Sequence, residues 1–114
     1  ISKDINKIVV SDDAKKVVEN KYLSKIKLKI EKYKKYPKRA KRLKQQGRVV
    51  ISFEVMKNGQ IRNITVKSKS PYKRLNEAAK NILKNIKSFD PIPKQLNRQT
   101  WAIEVPLSYL IQNT

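Results

Sequence analysis

The chain contains no histidine and no cysteine, and only two glycines, Gly47 and Gly59. Zinc sites, iron–sulfur clusters, haem ligation by histidine, cysteine nucleophiles and a Ser-His-Asp arrangement therefore lack the atoms they require. Without thiols there are no disulfides, so cysteine usage does not separate the cytosol from an oxidising compartment. Glycines this sparse exclude a glycine-rich phosphate loop. No uncharged apolar run approaches the ~20 residues that a membrane-crossing helix needs. Acidic residues are also scarce: 9 Asp and Glu stand against 28 Lys and Arg, a net charge of +19 in 114 residues. This length bounds the chain to one domain. Its 39% hydrophobic residues suffice for a modest core, since a chain of this size buries roughly two-thirds of its unfolded surface. Ile1 in place of an initiating methionine is what a piece of a longer protein would show. No metal and no cofactor are expected.

Residues 1–46 carry 16 basic and 5 acidic side chains (+11), against 12 and 4 (+8) in residues 47–114. Ile1 to Val10 reads as an arm that is ordered only on docking. Ser11-Asp12-Asp13 supplies capping chemistry for a helix in which Val18, Tyr22, Ile26, Ile30 and Tyr33 recur on one face, with lysines on the others. Tyr36-Pro37 ends it, because proline disfavours helical geometry in the residue before it. Pro37 can open a short basic helix that Gly47 stops, with Ala40 and Leu43 as its inward candidates.

Val49, Ile51, Phe53 and Val55 alternate with Arg48, Val50, Ser52 and Glu54, and Lys57-Asn58-Gly59-Gln60 turns the chain. Asn-Gly between alternating runs is a hairpin signal, both residues tolerating positive φ. In the return strand, Ile61 to Val66, Ile61 breaks the parity of Ile64 and Val66, which points to a bulge. Ser70-Pro71 reads as a cap and first turn for a helix with the stripe Leu75, Ala78, Ala79, Ile82 and Ile86. An irregular connection through Phe89, Pro91 and Pro93 to Asn97 leads to a strand, Trp101 to Ile111, whose odd-numbered residues are apolar. Pro106 in its middle has no N–H to donate, so this strand belongs at a sheet edge. Backbone groups alternate sides along a strand, so the even-numbered residues face the open edge. Such edges are shielded or used to recruit another strand. Glu54 and Glu104, the only acids in strands, lack a base partner or pocket signal, and no enzymatic activity is expected.

These pieces together resemble the TonB C-terminal domain family of Gram-negative bacteria. The likeness runs from about Tyr22 to Ile111: the helix into Tyr36-Pro37 with Arg39-Ala40, Gly47 before a strand, Asn58-Gly59, Ser68 and Ser70 before Leu75-Asn76-Glu77-Ala78-Ala79, then Phe89, Pro91, Pro93 and Ile103-Glu104-Val105-Pro106-Leu107. The family commonly has Leu-Asp where this chain has Leu75-Asn76, and a denser proline cluster near Pro91. The resemblance implies an α+β fold, two main helices packed on a three-stranded antiparallel sheet with an extra N-terminal helix. Residues 1–21 would form the arm and the start of the leading helix, at the end of a linker, and residues 22–114 the domain.

It further implies a periplasmic domain of a protein anchored in the inner membrane by an N-terminal helix absent from this sequence. Energised by ExbB and ExbD, it would bind the TonB box of outer-membrane transporters of siderophores, haem, cobalamin or metal complexes by strand addition. The expected partner-binding residues are Ala102, Glu104, Val105, Pro106, Ser108 and Leu110 of the last strand, with Tyr33, Tyr36, Pro37 and Arg39 around the Tyr-Pro segment. Ser108→Pro would remove a second edge donor and weaken receptor-peptide binding while the fold survives.

The charge of +19 keeps other readings open. A basic chain can bind nucleic acid through counterion release, but these lysines are spread over helices and turns and the strand aromatics lie on the apolar face, so no nucleic acid is expected. A TolA-like domain that recruits partners by strand pairing is a nearer alternative, and attraction to anionic surfaces such as peptidoglycan or lipid headgroups is a third. An unpaired edge also allows a homodimer.

Overall fold

The structure, a computed structural model, describes residues 13–112. The expected arm and the capping residues Ser11 and Asp12 lie outside that range. Among the described residues, three α-helices, α1 (Lys15–Tyr33), α2 (Lys38–Arg42) and α3 (Lys73–Ile86), accompany three strands, β1 (Gly47–Met56), β2 (Ile61–Ser68) and β3 (Thr100–Tyr109). The sheet is antiparallel in the order β2-β1-β3, the α+β fold expected.

Alternation makes the sheet one-sided. Val49, Ile51, Phe53 and Val55 of β1 and Ile103, Val105, Leu107 and Tyr109 of β3 are buried, while the even-numbered residues of β3 from Ala102 to Ser108 are exposed. Helices cover the apolar face. α1 contributes Tyr22, Ile26 and Ile30, one turn apart, and α3 contributes Leu75, Ala79, Ile82, Leu83 and Ile86. Tyr22 stacks on Trp101 at 5.5 Å between ring centres and donates its hydroxyl to the Asp90 carbonyl at 2.7 Å, tying α1 to β3 and to the connection before it.

Several local readings are corrected. Ala14 occupies the cap position of α1 with helical dihedrals and makes no side-chain cap bond. Pro37 caps α2 from outside instead of entering it, and the helix closes at Arg42, before Lys44 at φ 56°, so Gly47 opens β1 and stops no helix. Leu43, the C-cap residue of α2, is 54% exposed, so of the two inward candidates only Ala40 is buried. Ser70 is not the cap of α3, whose cap is Tyr72. Ser70 instead sits buried in a reciprocal clamp with Asn76: its N–H donates to Asn76 Oδ1 at 2.8 Å and its carbonyl accepts from Asn76 Nδ2 at 3.1 Å. The amide accepts with its oxygen and donates with its nitrogen, which a carboxylate in its place could not do, and this gives Asn76 a structural role. A Cβ on Gly47 would lie 2.9 Å from Ser70 Cβ, so the bare backbone of Gly47 is what lets this clamp close on β1.

At the hairpin only Gly59 has positive φ, 94°. Gly59 N–H donates to Met56 O and Met56 N–H to Gln60 O. This is a three-residue loop closed by a glycine in place of a two-residue turn. The expected bulge falls at Asn63, φ 55°, where three steps of β2 oppose two of β1 between Ser52↔Thr65 and Glu54↔Arg62. Phe89 N–H donates to Gly59 O at 2.9 Å and Ile92 N–H to Lys57 O at 3.0 Å, so the connection before β3 is pinned to this loop. A short 3₁₀ turn, Lys94–Leu96, then reverses the chain into β3.

Candidate partner-binding edge

β3 pairs with β1 without a break, from Gly47↔Tyr109 to Met56↔Thr100, and among the described residues has no strand on its other side. Pro106, opposite Val50, lacks an N–H and sits where none is needed. Direct support for the outward aim of the even-numbered backbone comes from Ser108, whose carbonyl accepts a hydrogen bond from Lys34 Nζ at 2.9 Å. By the alternation of an antiparallel ladder, Ala102 and Glu104 then present both an N–H and a carbonyl at the edge, Pro106 a carbonyl only, and Ser108 an N–H beside its engaged carbonyl. The strand ends at Tyr109, two residues short of the expected Ile111, because Ile111 N–H turns away to Gln46 Oε1 at 2.8 Å.

Of the other group of expected residues, Tyr36 meets β3 at its C-terminal end. Tyr36 leaves α1's end and sets its ring edge-on to Tyr109, 5.5 Å away at 80°, while its hydroxyl donates to the Gln45 carbonyl. Tyr109 is fully buried, its hydroxyl has no hydrogen-bond partner among the described residues, and burial with the nearby Glu31 charge pushes it up to about 12. Burial also raises Tyr36 above the ordinary tyrosine value. Pro37 is half-buried, its carbonyl accepting from Lys41 N–H at 2.9 Å, and Arg39 and Tyr33 are exposed.

The ten expected residues are therefore not equivalent. Ala102, Glu104, Pro106 and Ser108 form one exposed row, with Glu104 ion-paired to Lys67 of β2 across the open face of the sheet. Val105 is 4% exposed, opposite Ile51, so its side chain belongs to the core and its backbone to the β1 ladder. Leu110 is exposed but lies beyond the strand. Sequence reasoning missed Lys34, whose reach to Ser108 spans 74 positions and leaves no periodic trace. It also missed Arg98, whose guanidinium lies 4.3 Å above the Trp101 ring and pairs with Glu19 at 2.7 Å.

Residues 32–111 match the family described as Gram-negative bacterial TonB protein C-terminal. The chain belongs to that family. The chain is 33% identical over 94 residues to Protein TonB of Pasteurella multocida (strain Pm70), a match covering 82% of this chain. It spans only about a third of that relative's length, 36%. A solution structure of the Helicobacter pylori TonB C-terminal domain superposes with a TM-score of 0.71 at 27% identity, covering 83% of this chain and 85% of that one. A shorter version of the same H. pylori domain gives 0.63 at 27% identity over 82% and 97%. The HasB C-terminal domain, at 22% identity and a TM-score of 0.51 over 81% and 71%, shares the fold. No helix among the described residues of this TonB domain is long and apolar enough to cross a membrane.

Proposed function

We propose that this domain is a non-enzymatic, periplasmic coupling module that captures the TonB box of outer-membrane transporters by adding it as a fourth strand along β3. The observation that carries this reading is a ten-residue edge paired without a register break to its neighbour, because a regular edge holds the spacing a second ladder needs. Main-chain pairing suits a coupling role: several hydrogen bonds share the load while partner side chains vary. Tyr36, packed on Tyr109, brings the Tyr-Pro segment to the end of that edge, where Tyr33, Pro37 and Arg39 would add contacts to a bound strand.

Pull would come from ExbB and ExbD, through an inner-membrane anchor and linker preceding α1, and would reach β3 through Tyr22 on Trp101 and Glu19 on Arg98. The cargo classes are those of TonB-dependent transport: siderophores, haem, cobalamin or metal complexes. Nucleic acid is a poorer fit, since Trp101, Tyr22, Phe53, Phe89, Tyr36 and Tyr109 are engaged with one another instead of forming a platform on which bases stack.

The test is an amide chemical-shift titration at about 150 mM salt, near physiological ionic strength, with a TonB-box peptide, a scrambled peptide and a short DNA duplex. Saturable shifts along Ala102 to Leu110 and around Tyr33 to Arg39 for the true peptide alone are expected. Shifts confined to lysines and strongest with DNA would overturn the reading.

A further inference from the structure

The edge is not uniformly open. Ala102 and Glu104 face outward with both backbone groups, but the next acceptor after Pro106, the Ser108 carbonyl, is already engaged by Lys34 Nζ at 2.9 Å. The contact is built by the local chain. α1 ends at Tyr33, Lys34 takes extended dihedrals (φ −68°, ψ 127°) with its own N–H on Glu31 O, and two residues later Tyr36 packs edge-on against Tyr109. This fixes Lys34 beside Ser108. Its ammonium is also 3.2 Å from Glu31 Oε2 and 5.7 Å from the centre of the Tyr109 ring. Where most lysines of the chain are exposed, this side chain is 25% exposed. An ammonium donating to a carbonyl is a charge-assisted bond, stronger than the neutral N–H that an added strand would put in its place.

We infer that Lys34 is a displaceable latch on β3, occupying the Ser108 carbonyl in place of a partner N–H and thereby setting how far along the edge an incoming strand pairs. The inference rests on the strand-addition reading and deepens it. A short strand pairs at Ala102 and Glu104 and leaves the latch closed. A longer one runs past Pro106, where the missing N–H already thins the ladder, and gains the Ser108 carbonyl only by expelling Lys34. The latch thus divides the edge into a permissive segment and a gated one, and makes affinity depend on strand length and register over and above partner side chains.

The test uses the whole chain and a nested set of peptides cut from one candidate receptor's TonB-box segment, trimmed from each end, with binding read by calorimetry. Lys34→Met keeps the alkyl stem and removes the donor, and Lys34→Arg keeps charge and donor. Peptides long enough to pass Ser108 should bind Lys34→Met about five-fold more tightly than wild type, the scale of one hydrogen bond's net worth. Peptides that stop at Pro106 should bind both proteins alike, and Lys34→Arg should behave as wild type. Equal affinities at every peptide length would overturn the latch while leaving strand addition standing. Weaker binding of long peptides to Lys34→Met would also overturn it, showing instead that Lys34 contacts the partner. Absence of any peptide binding to wild type would sink strand addition, and the latch with it. Unchanged Trp101 emission in both variants shows that the fold at β3 is retained.

Discussion

Strand β3 pairs with β1 residue for residue from Thr100 to Tyr109, whereas β2 slips register twice against the same neighbour, between Val50 and Ile51 and between Ser52 and Glu54. Both are edges of one three-stranded sheet. The slip at Asn63, in the left-handed region at φ 55°, twists β2 locally and spoils the spacing of its outward groups. That is one of the devices by which an edge is closed to further pairing. β3 carries no bulge; its devices are a proline and a lysine latch, and each leaves part of the ladder usable. A sheet can thus have one edge closed by backbone geometry and the other tuned by single side chains.

Gly59 gives the largest effect on the β2 side. At φ 94°, with a new Cβ only 2.0 Å from the Phe89 carbonyl oxygen, Gly59→Ala should cost about 3 kcal/mol or more by strain and displacement of that carbonyl. Urea unfolding measures it, and a loss within ~0.5 kcal/mol would mean the hairpin loop is not held as described.

The next effect belongs to the β3 side. Tyr22, raised to about 12 by burial and then by the Asp90 charge, stacks on Trp101, and Tyr109, also raised to about 12, ends the strand. Folding favours the neutral phenol in both. The stability this contributes is complete below the ordinary value of 10.0 and is lost as pH rises through about 12. A loss on the order of a few kcal/mol across that window is expected, followed by urea midpoints at successive pH values. Tyr22→Phe should flatten the curve, and an unchanged alkaline slope would contradict the assignment.

A smaller effect isolates the edge itself. Glu104→Pro removes an outward N–H and the exposed ion pair with Lys67, so peptide affinity should fall about ten-fold while stability changes by less than ~1 kcal/mol. Retained affinity would place the partner elsewhere. Smallest is Asn63→Val, which puts a β-branched residue at positive φ and should cost about 1 kcal/mol in stability without altering peptide binding. Loss of binding there would mean that β2 is the edge in use.

Much of this contrast was legible in the residues. Period-two alternation gave β1 and β3, the parity break at Ile61 gave the bulge, and Pro106 gave the edge, because each rests on local stereochemistry. Of the expected partner row, Ala102, Glu104, Pro106 and Ser108 are exposed residues, while Val105 turns inward with the rest of its parity class. What escaped notice depends on contacts between distant positions. The Ser70–Asn76 clamp replaced a helix cap, the Gln46 side chain ended β3 early, and Lys34 reached across to Ser108. Leu83 was missed for a different reason: it widens the apolar face of α3 beyond the single stripe.

The most direct test of β3 as the working edge is residue-resolved amide hydrogen exchange with and without a saturating TonB-box peptide. Within β3, the N–H groups of Ala102, Glu104 and Ser108 should exchange quickly in the free domain and become protected in the complex. Those of Ile103, Val105 and Leu107, already bonded to β1, should be slow in both states, and β2 should not change. Protection gained along β2, or none gained at Ala102 and Glu104 despite saturation, would contradict strand addition at β3.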